Sequence, residues 1–137
     1  MAISGILPYG VWTIPEVATV GLSEHEARAR ELSYEIGKAS FRDNVRGQII
    51  GETAGFVKLI FNPEDQRLLG ATVVGEGACE LIHLAGAVLG FEGTIDYFIQ
   101  ATFNYPTLGD AYKYAAYDGL QRVQGKIRQS GGLKSRS

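Results

Sequence analysis

Gly55-Phe-Val-Lys-Leu-Ile-Phe61, Asn62-Pro-Glu-Asp-Gln66 and Arg67-Leu-Leu-Gly-Ala-Thr-Val-Val74 run consecutively, and their reading decides the fold. Two apolar runs rich in β-branched and aromatic residues flank five turn-forming residues, with Pro63 at the second turn position where its fixed φ is suited. That pattern is a β-hairpin, so an antiparallel sheet is expected. Phe56 and Ile60 fall on one side of the first strand, and Val57, Leu59 and Phe61 on the other. Apolar residues on both sides predict a sheet covered on both faces.

Upstream of the hairpin, Gly10-Val-Trp-Thr-Ile14 and Val17-Ala-Thr-Val-Gly21 read as two short strand pieces interrupted at Pro15, which implies an edge or kinked strand. Ser23 with Glu26 has the form of a capping box and predicts a short, mostly charged helix to about Glu31. Tyr34 to Phe41 reads as a further strand, and Asp43 to Ile50 as one or two helical turns ending at Gly51.

Downstream, the stretch from Gly77 to Leu89 is helical in composition, and its only polar side chains are Glu80 and His83. A helix apolar almost all round needs burial on most sides, more than so small a domain offers, which predicts that another chain supplies part of it. Gly90 and Gly93 break this helix, and Thr94 is placed to cap a short one from Ile95 to Ala101, with Asp96 near its positive end. A tight connection at residues 104–108 leads into a last helix, with Leu108, Ala111, Tyr112, Ala115 and Gly119 on one face and Tyr114, Tyr117 and Asp118 on the other. The class is therefore α+β, a largely antiparallel five-stranded sheet with packed helices.

Composition bounds what the chain can do. It has 137 residues, 45% of them hydrophobic, which is enough for one domain with a real core. The domain is expected over residues 10–122, after a lead-in at 1–9 and before a flexible basic tail at 123–137. A single cysteine, Cys79, excludes an intramolecular disulfide, a dithiol redox centre or a four-ligand zinc site. The net charge of −2 divides unevenly. Residues 1–120 hold all fifteen acids against eight bases, whereas Arg122, Lys126, Arg128, Lys134 and Arg136 follow with no acid. Such a body repels nucleic acid. No apolar run reaches membrane-spanning length, so neither nucleic acid nor membrane is an expected partner, and a reducing, cytoplasmic location is expected.

Five features invite chemistry. Gly75-Glu-Gly77 after a strand has the setting of a dinucleotide-binding turn, but Glu80 stands where the third glycine belongs and would repel pyrophosphate. Glu80 and His83 share a helix face at a spacing used in di-metal bundles, without the second copy and extra glutamates such a site needs, so no metal is expected. His25 lies between two glutamates with no nucleophile motif to serve, and Cys79 on the apolar helix reads as a buried small hydrophobe. In Asn104-Tyr-Pro-Thr107, an aromatic precedes proline, a context that admits a cis peptide. Five of the seven tyrosines lie between residues 97 and 117. Read by composition alone, these aromatics pack a core and an interface.

Three blocks together resemble one family: Thr13-Ile-Pro-Glu-Val-Ala-Thr-Val-Gly-Leu-Ser-Glu24, the hairpin Gly55 to Gly75 with the helix start Gly77-Ala-Cys-Glu-Leu-Ile82, and Asn104-Tyr-Pro-Thr-Leu-Gly-Asp-Ala111. In order and spacing, over residues 8–122, they are similar to the C-terminal dimerisation domain of the pyridine nucleotide-disulfide oxidoreductases. Phe103 to Thr107 and Glu80-Leu-Ile-His83 look most like the branch of soluble, flavin-dependent pyridine nucleotide transhydrogenases. The resemblance implies a domain that follows flavin-binding and nicotinamide-binding domains and joins two subunits. FAD and NAD(P) would belong to that parent, and no cofactor to the isolated domain.

In disulfide-reducing members the last motif carries a histidine and, five residues on, a glutamate; the histidine reaches the partner's flavin and cysteine pair as general acid and base. Tyr105 stands at the histidine position and Asp110 at the glutamate position. A phenol is a poor proton shuttle at neutral pH, and the departure fits hydride transfer between NADPH and NAD through flavin. The resemblance therefore implies that Asn104, Tyr105, Pro106, Thr107 and Asp110 face the partner's flavin and that the fragment is inactive alone. A free-standing dimeric binding or assembly module with the same fold is the alternative.

Overall fold

The computed structural model describes residues 7–134. Strands β1 (Tyr9–Val11), β2 (Val17–Gly21), β3 (Glu35–Ser40), β4 (Phe56–Phe61) and β5 (Leu68–Val74) form one sheet in the order β1-β2-β5-β4-β3. Every neighbouring pair is antiparallel. The helices are α1 (Glu24–Ala29), α2 (Val45–Ile50), α3 (Ala78–Gly90), α4 (Asp96–Gln100) and α5 (Ala111–Lys134), with 3₁₀ turns at Phe41–Asp43 and Leu108–Asp110.

The β4–β5 hairpin forms as its sequence dictates. Asn62 N–H bonds to Arg67 O at 2.9 Å, while the Asn62 side chain accepts from Glu64 N–H at 2.8 Å and fixes the turn from within. At α1, Ser23 is the N-cap and its hydroxyl oxygen accepts from Glu26 N–H at 3.1 Å, satisfying one of the donors that the first turn leaves free. Gly51 ends α2 in the left-handed conformation, φ 76°, which costs a glycine nothing.

The core lies between one face of the sheet and helices α3, α4 and α5. Ala18, Val20, Val57, Leu59, Phe61, Ala71 and Val73 point into it and are buried with Ile82, Ala85, Phe98, Tyr112 and Ala115. Helix α5 rests on β3 backbone to backbone: a Cβ on Gly37 would stand 2.1 Å from Ala115 O and 2.9 Å from Gly119 N. Farther along, Asp118 Oδ2 accepts from Lys38 N–H at 2.9 Å, and Glu35 Oε1 accepts from Ile36 N–H at 3.0 Å. Two main-chain donors of the edge strand β3 are thereby satisfied by carboxylates.

Four sequence expectations are corrected. The segment around Pro15 is a hairpin, because β1 turns back and pairs with β2 as Tyr9↔Thr19 and Val11↔Val17. Tyr9 thus belongs to the sheet and only residues before it can be lead-in; residues 1–6 lie outside the described part. The second face of the sheet is half solvated. Register sets Lys38 opposite Lys58, and Lys58 opposite Thr72, and water-seeking side chains in one row keep that face open. Lys58 is paired with Glu24, and Lys38 Nζ stands 4.1 Å over the Phe56 ring.

Thr94 does not cap α4. Ile95 occupies the N-cap without a side-chain bond, because residues 94 and 95 are drawn against the hairpin by the Arg67↔Thr94 bridge and the Ile95 N–H to Gln66 O bond of 3.0 Å. Finally, the stretch expected as a flexible tail from residue 123 continues α5 to Lys134. Lys126 pairs with the buried Glu35 carboxylate, and Val123 packs against the core, so the extension is tied to β3. Residues 135–137 lie outside the described part.

Candidate functional site

The turn at residues 104–107 stands between α4 and α5 on a base built by the core. Tyr112 is fully buried, stacked on Phe98 with ring centroids 5.0 Å apart, and its hydroxyl donates to Leu81 O at 2.6 Å. Burial pushes the Tyr112 phenol far above its ordinary pKa, so it acts as a fixed donor. Leu108 and Phe103 pack against the core on either side of the turn, and Lys113 Nζ lies 5.9 Å from the Phe103 ring.

On this base Asn104, Tyr105 and Pro106 project, and Tyr105 is 71% exposed. The Tyr105-Pro106 peptide bond is cis. The Thr107 hydroxyl closes the turn by donating to Asn104 O at 2.7 Å. Asp110 sits half-buried in the second 3₁₀ turn. Among the described residues no hydrogen bond or ion pair joins it to Tyr105. The structure therefore brings residues 104–107 together as one surface feature and leaves Asp110 uncoupled from the phenol. An aromatic wall results, with no acid–base pair behind it.

One residue at this site escapes the sequence reading. Asn44, the N-cap of α2, is buried and donates from Nδ2 to Thr107 O at 3.0 Å. Its cap role has a local signal, an Asn directly before a helical stretch. The contact to a carbonyl 63 residues away has none.

The other motifs separate from the turn. Cys79 is buried beneath β1, where a Cβ on Gly10 would come within 2.8 Å of its Sγ. Burial first, and then the Glu16 carboxylate, raise the thiol pKa, so it stays protonated and unreactive. The Gly75–Gly77 turn is no cradle for pyrophosphate. Glu16, Glu52 and Glu76 line one cleft of about 250 Å³ beside it, and the Glu52 carboxylate accepts from the Gly55 and Glu76 N–H groups at 3.2 Å each. An anion there would meet carboxylates already using the available donors. Glu80 and His83 are exposed on α3, as is His25 on α1. Among the described residues no group of three or more His, Cys, Asp or Glu side chains is gathered as a metal set.

An apolar groove of about 260 Å³ opens where α3 meets α4, lined by Leu84, Ala87, Val88, Phe91, Gly93 and Tyr97. Phe91 is 71% exposed and Tyr97 is 50% exposed. Among the described residues no helix is long and apolar enough to cross a membrane.

The profile of the family described as "Pyridine nucleotide-disulphide oxidoreductase, dimerisation domain" matches residues 7–116. A protein of Pseudomonas syringae pv. tomato named "Soluble pyridine nucleotide transhydrogenase" is 43% identical over 120 residues, which is 85% of this chain and 26% of that protein. One of the same name from Pectobacterium carotovorum subsp. carotovorum is 42% identical over 120 residues, covering 85% of this chain and 80% of the relative. The chain thus spans about a quarter of the length of most relatives of this kind. In fold it is similar to LpdA from Mycobacterium tuberculosis, with TM-score 0.77, 26% identity, and coverage of 81% of this chain and 24% of that one. The HOCl-induced flavoprotein disulfide reductase RclA from Escherichia coli matches with TM-score 0.79 at 21% identity, over 84% of this chain and 26% of that one.

Proposed function

Because the chain belongs to the pyridine nucleotide-disulphide oxidoreductase dimerisation domain family, we propose that it pairs with a second copy and lays its 104–107 turn against the flavin of that partner. The domain proper runs from β1 through α5, residues 9–134, and flavin-binding and nicotinamide-binding domains of the same parent chain precede it. The parent is a cytoplasmic, FAD-dependent enzyme that passes hydride between NADPH and NAD. Relatives above 40% identity carry the name of that activity, and Tyr105 in place of an imidazole suits a reaction with no disulfide to protonate. Alone, the chain transfers no hydride: it brings an apolar surface, a Tyr105 wall that keeps water from the flavin, and no acid–base pair.

The uncovered groove of Leu84, Ala87, Phe91 and Tyr97 is the observation that carries the pairing. An apolar helix stripe left open in so small a domain is the mark of an interface, and a stable symmetric pair buries more than about 1,000 Å² in total. Sedimentation of the purified chain tests it. A dimer is expected, Phe91→Asp should give a monomer that keeps its circular dichroism, and equal masses for the two proteins would refute the interface.

A free-standing dimeric module of the same fold is the second reading, favoured by the Pectobacterium relative, 80% of which this chain covers. Immunodetection of the protein in extracts of its source separates the two. A band about four times the mass of this chain supports the enzyme, since the chain matches 26% of the longer relatives.

A further inference from the structure

We propose that Asn44 is the positioning residue of the 104–107 turn: its carboxamide clips the start of α2 to the Thr107 carbonyl and so sets where Tyr105 is presented. Asn44 is 5% exposed, and its side chain works in two directions. Oδ1 accepts from Gly47 N–H at 2.9 Å, capping α2, while Nδ2 donates to Thr107 O at 3.0 Å. Which end of the amide faces which partner follows from those partners, because an N–H asks for the oxygen and a carbonyl for the nitrogen.

The clip stands on a fixed base. Asn44 N–H bonds to Phe41 O at 3.1 Å, and its own carbonyl accepts from Gln48 N–H at 3.0 Å; Phe41 is fully buried, with its N–H on Gly55 O at 3.0 Å. Thr107 is held from the other side by its hydroxyl bond to Asn104 O. The turn is thus closed by Thr107 and anchored by Asn44, and Tyr105 projects between the two fastenings. For capping alone, Ser, Thr or Asp would serve as well. Among good capping residues only Asn offers an acceptor and a donor on one planar group, and the Thr107 carbonyl requires the donor.

This inference rests on the reading above only for what the turn faces. Amide hydrogen exchange on the whole chain tests the clip without any flavin, comparing Asn44→Asp and Asn44→Ser with the wild type. Both variants keep a capping oxygen; Asp has no donor at neutral pH, and the Ser hydroxyl ends one bond short of the Nδ2 position, so neither supplies the donor at the Thr107 carbonyl. In both, the α2 amides should stay protected, the amides of residues 107–112 should exchange about tenfold faster, and the Tyr105 ring resonances should move toward those of a free peptide. Unchanged exchange at residues 107–112 in a folded variant would overturn the proposal. So would α2 and the turn loosening by the same factor, which marks a plain cap. Should Asn44→Asp fail to fold, Asn44→Ser decides alone. A turn that loosens as expected in a chain whose Tyr105 contacts no flavin leaves the clip standing and removes the flavin reading.

Discussion

Gly37 of β3 and Gly119 of α5 meet with no side chain between them, since a Cβ added to Gly37 would lie 2.9 Å from Gly119 N and 3.0 Å from Gly119 Cα. This contact lets the last helix lie close enough to β3 for Asp118 to reach Lys38 N–H.

Adding a methyl group at either position should therefore destabilise the domain, and unequally. At Gly37 the new Cβ meets a main-chain oxygen at 2.1 Å, whereas at Gly119 it meets the Phe61 ring edge at 2.5 Å. Overpacking costs about 1–3 kcal/mol, and in a helix alanine recovers about 1 kcal/mol over glycine. Urea titration should show Gly37→Ala losing about 3 kcal/mol and Gly119→Ala less than half of that. The reverse order would show that α5 does not rest on β3 at this point.

The Glu24–Lys58 pair gives the domain an acid sensitivity. Its hydrogen bond to Lys58 is the largest cause holding the Glu24 carboxyl below its ordinary pKa. A carboxyl lowered in the folded state contributes stability above its unfolded pKa, and that stability is lost as pH falls through the folded value. Glu24→Gln should cost about 1 kcal/mol at pH 7, because it also leaves Lys38 and Lys58 face to face. The two proteins should converge below about pH 4. A constant gap in melting temperature between pH 7 and pH 3 would count against this account.

The buried Tyr112 hydroxyl makes the complementary prediction. A phenol raised by burial contributes fully below its unfolded pKa, near 10, and its contribution declines as pH climbs beyond that value. Tyr112→Phe should lose about 1 kcal/mol at neutral pH with the Leu81 bond, whereas Phe98→Ala should lose about 3–5 kcal/mol through the cavity left beside the stacked ring. Equal losses from the two changes, measured by thermal melting, would show that the hydrogen bond and not the packing organises the base of the turn.

In the proposed parent flavoenzyme, Tyr105→His should leave hydride transfer within about tenfold of wild type and should not confer disulfide reduction without a cysteine pair. Tyr105→Phe keeps the aromatic wall and should be nearly silent in kcat. Loss of all turnover in Tyr105→Phe would give the phenol hydroxyl a part in the reaction that an aromatic wall cannot have.

The extension of α5 beyond residue 122 should answer to Lys126. Removing its ammonium by Lys126→Ala leaves the Glu35 carboxylate, 6% exposed, with the Ile36 N–H as its one remaining partner among the described residues. Lys126 itself is largely solvated, so the expected loss is about 1 kcal/mol, with faster amide exchange confined to the last turns of α5. Unchanged exchange there would mean that the extension holds without β3.

The parts of the fold legible in the sequence are those whose causes are local. The β4–β5 hairpin follows from two β-branched runs around Pro63, the start of α1 from Ser23 and Glu26, and the end of α2 from Gly51. What the sequence hides is produced by register and by distant partners. In the run Phe56 to Phe61, Lys58 alone does not announce a wet face; it does so once Lys38 and Thr72 fall beside it in neighbouring strands. Glycines, serines and cations after residue 122 read as a loose end until Glu35, some ninety positions earlier, supplies the charge that Lys126 meets. At the candidate site the exposed 104–107 turn is legible as a motif. Its anchor, Asn44, is not, because no pattern of spacing links residue 44 to residue 107.

The two carboxylates bound to the edge strand have a consequence for assembly. A bare β-strand edge recruits further strands and lets a sheet grow into fibres. In β3 the Ile36 and Lys38 amides are already occupied, by Glu35 and by Asp118, and α5 lies alongside. An incoming strand would have to displace both acids before it gained a single ladder bond. That margin is blocked at two of its amides, which disfavours growth of the sheet beyond β3 and with it the open-ended stacking that builds fibres.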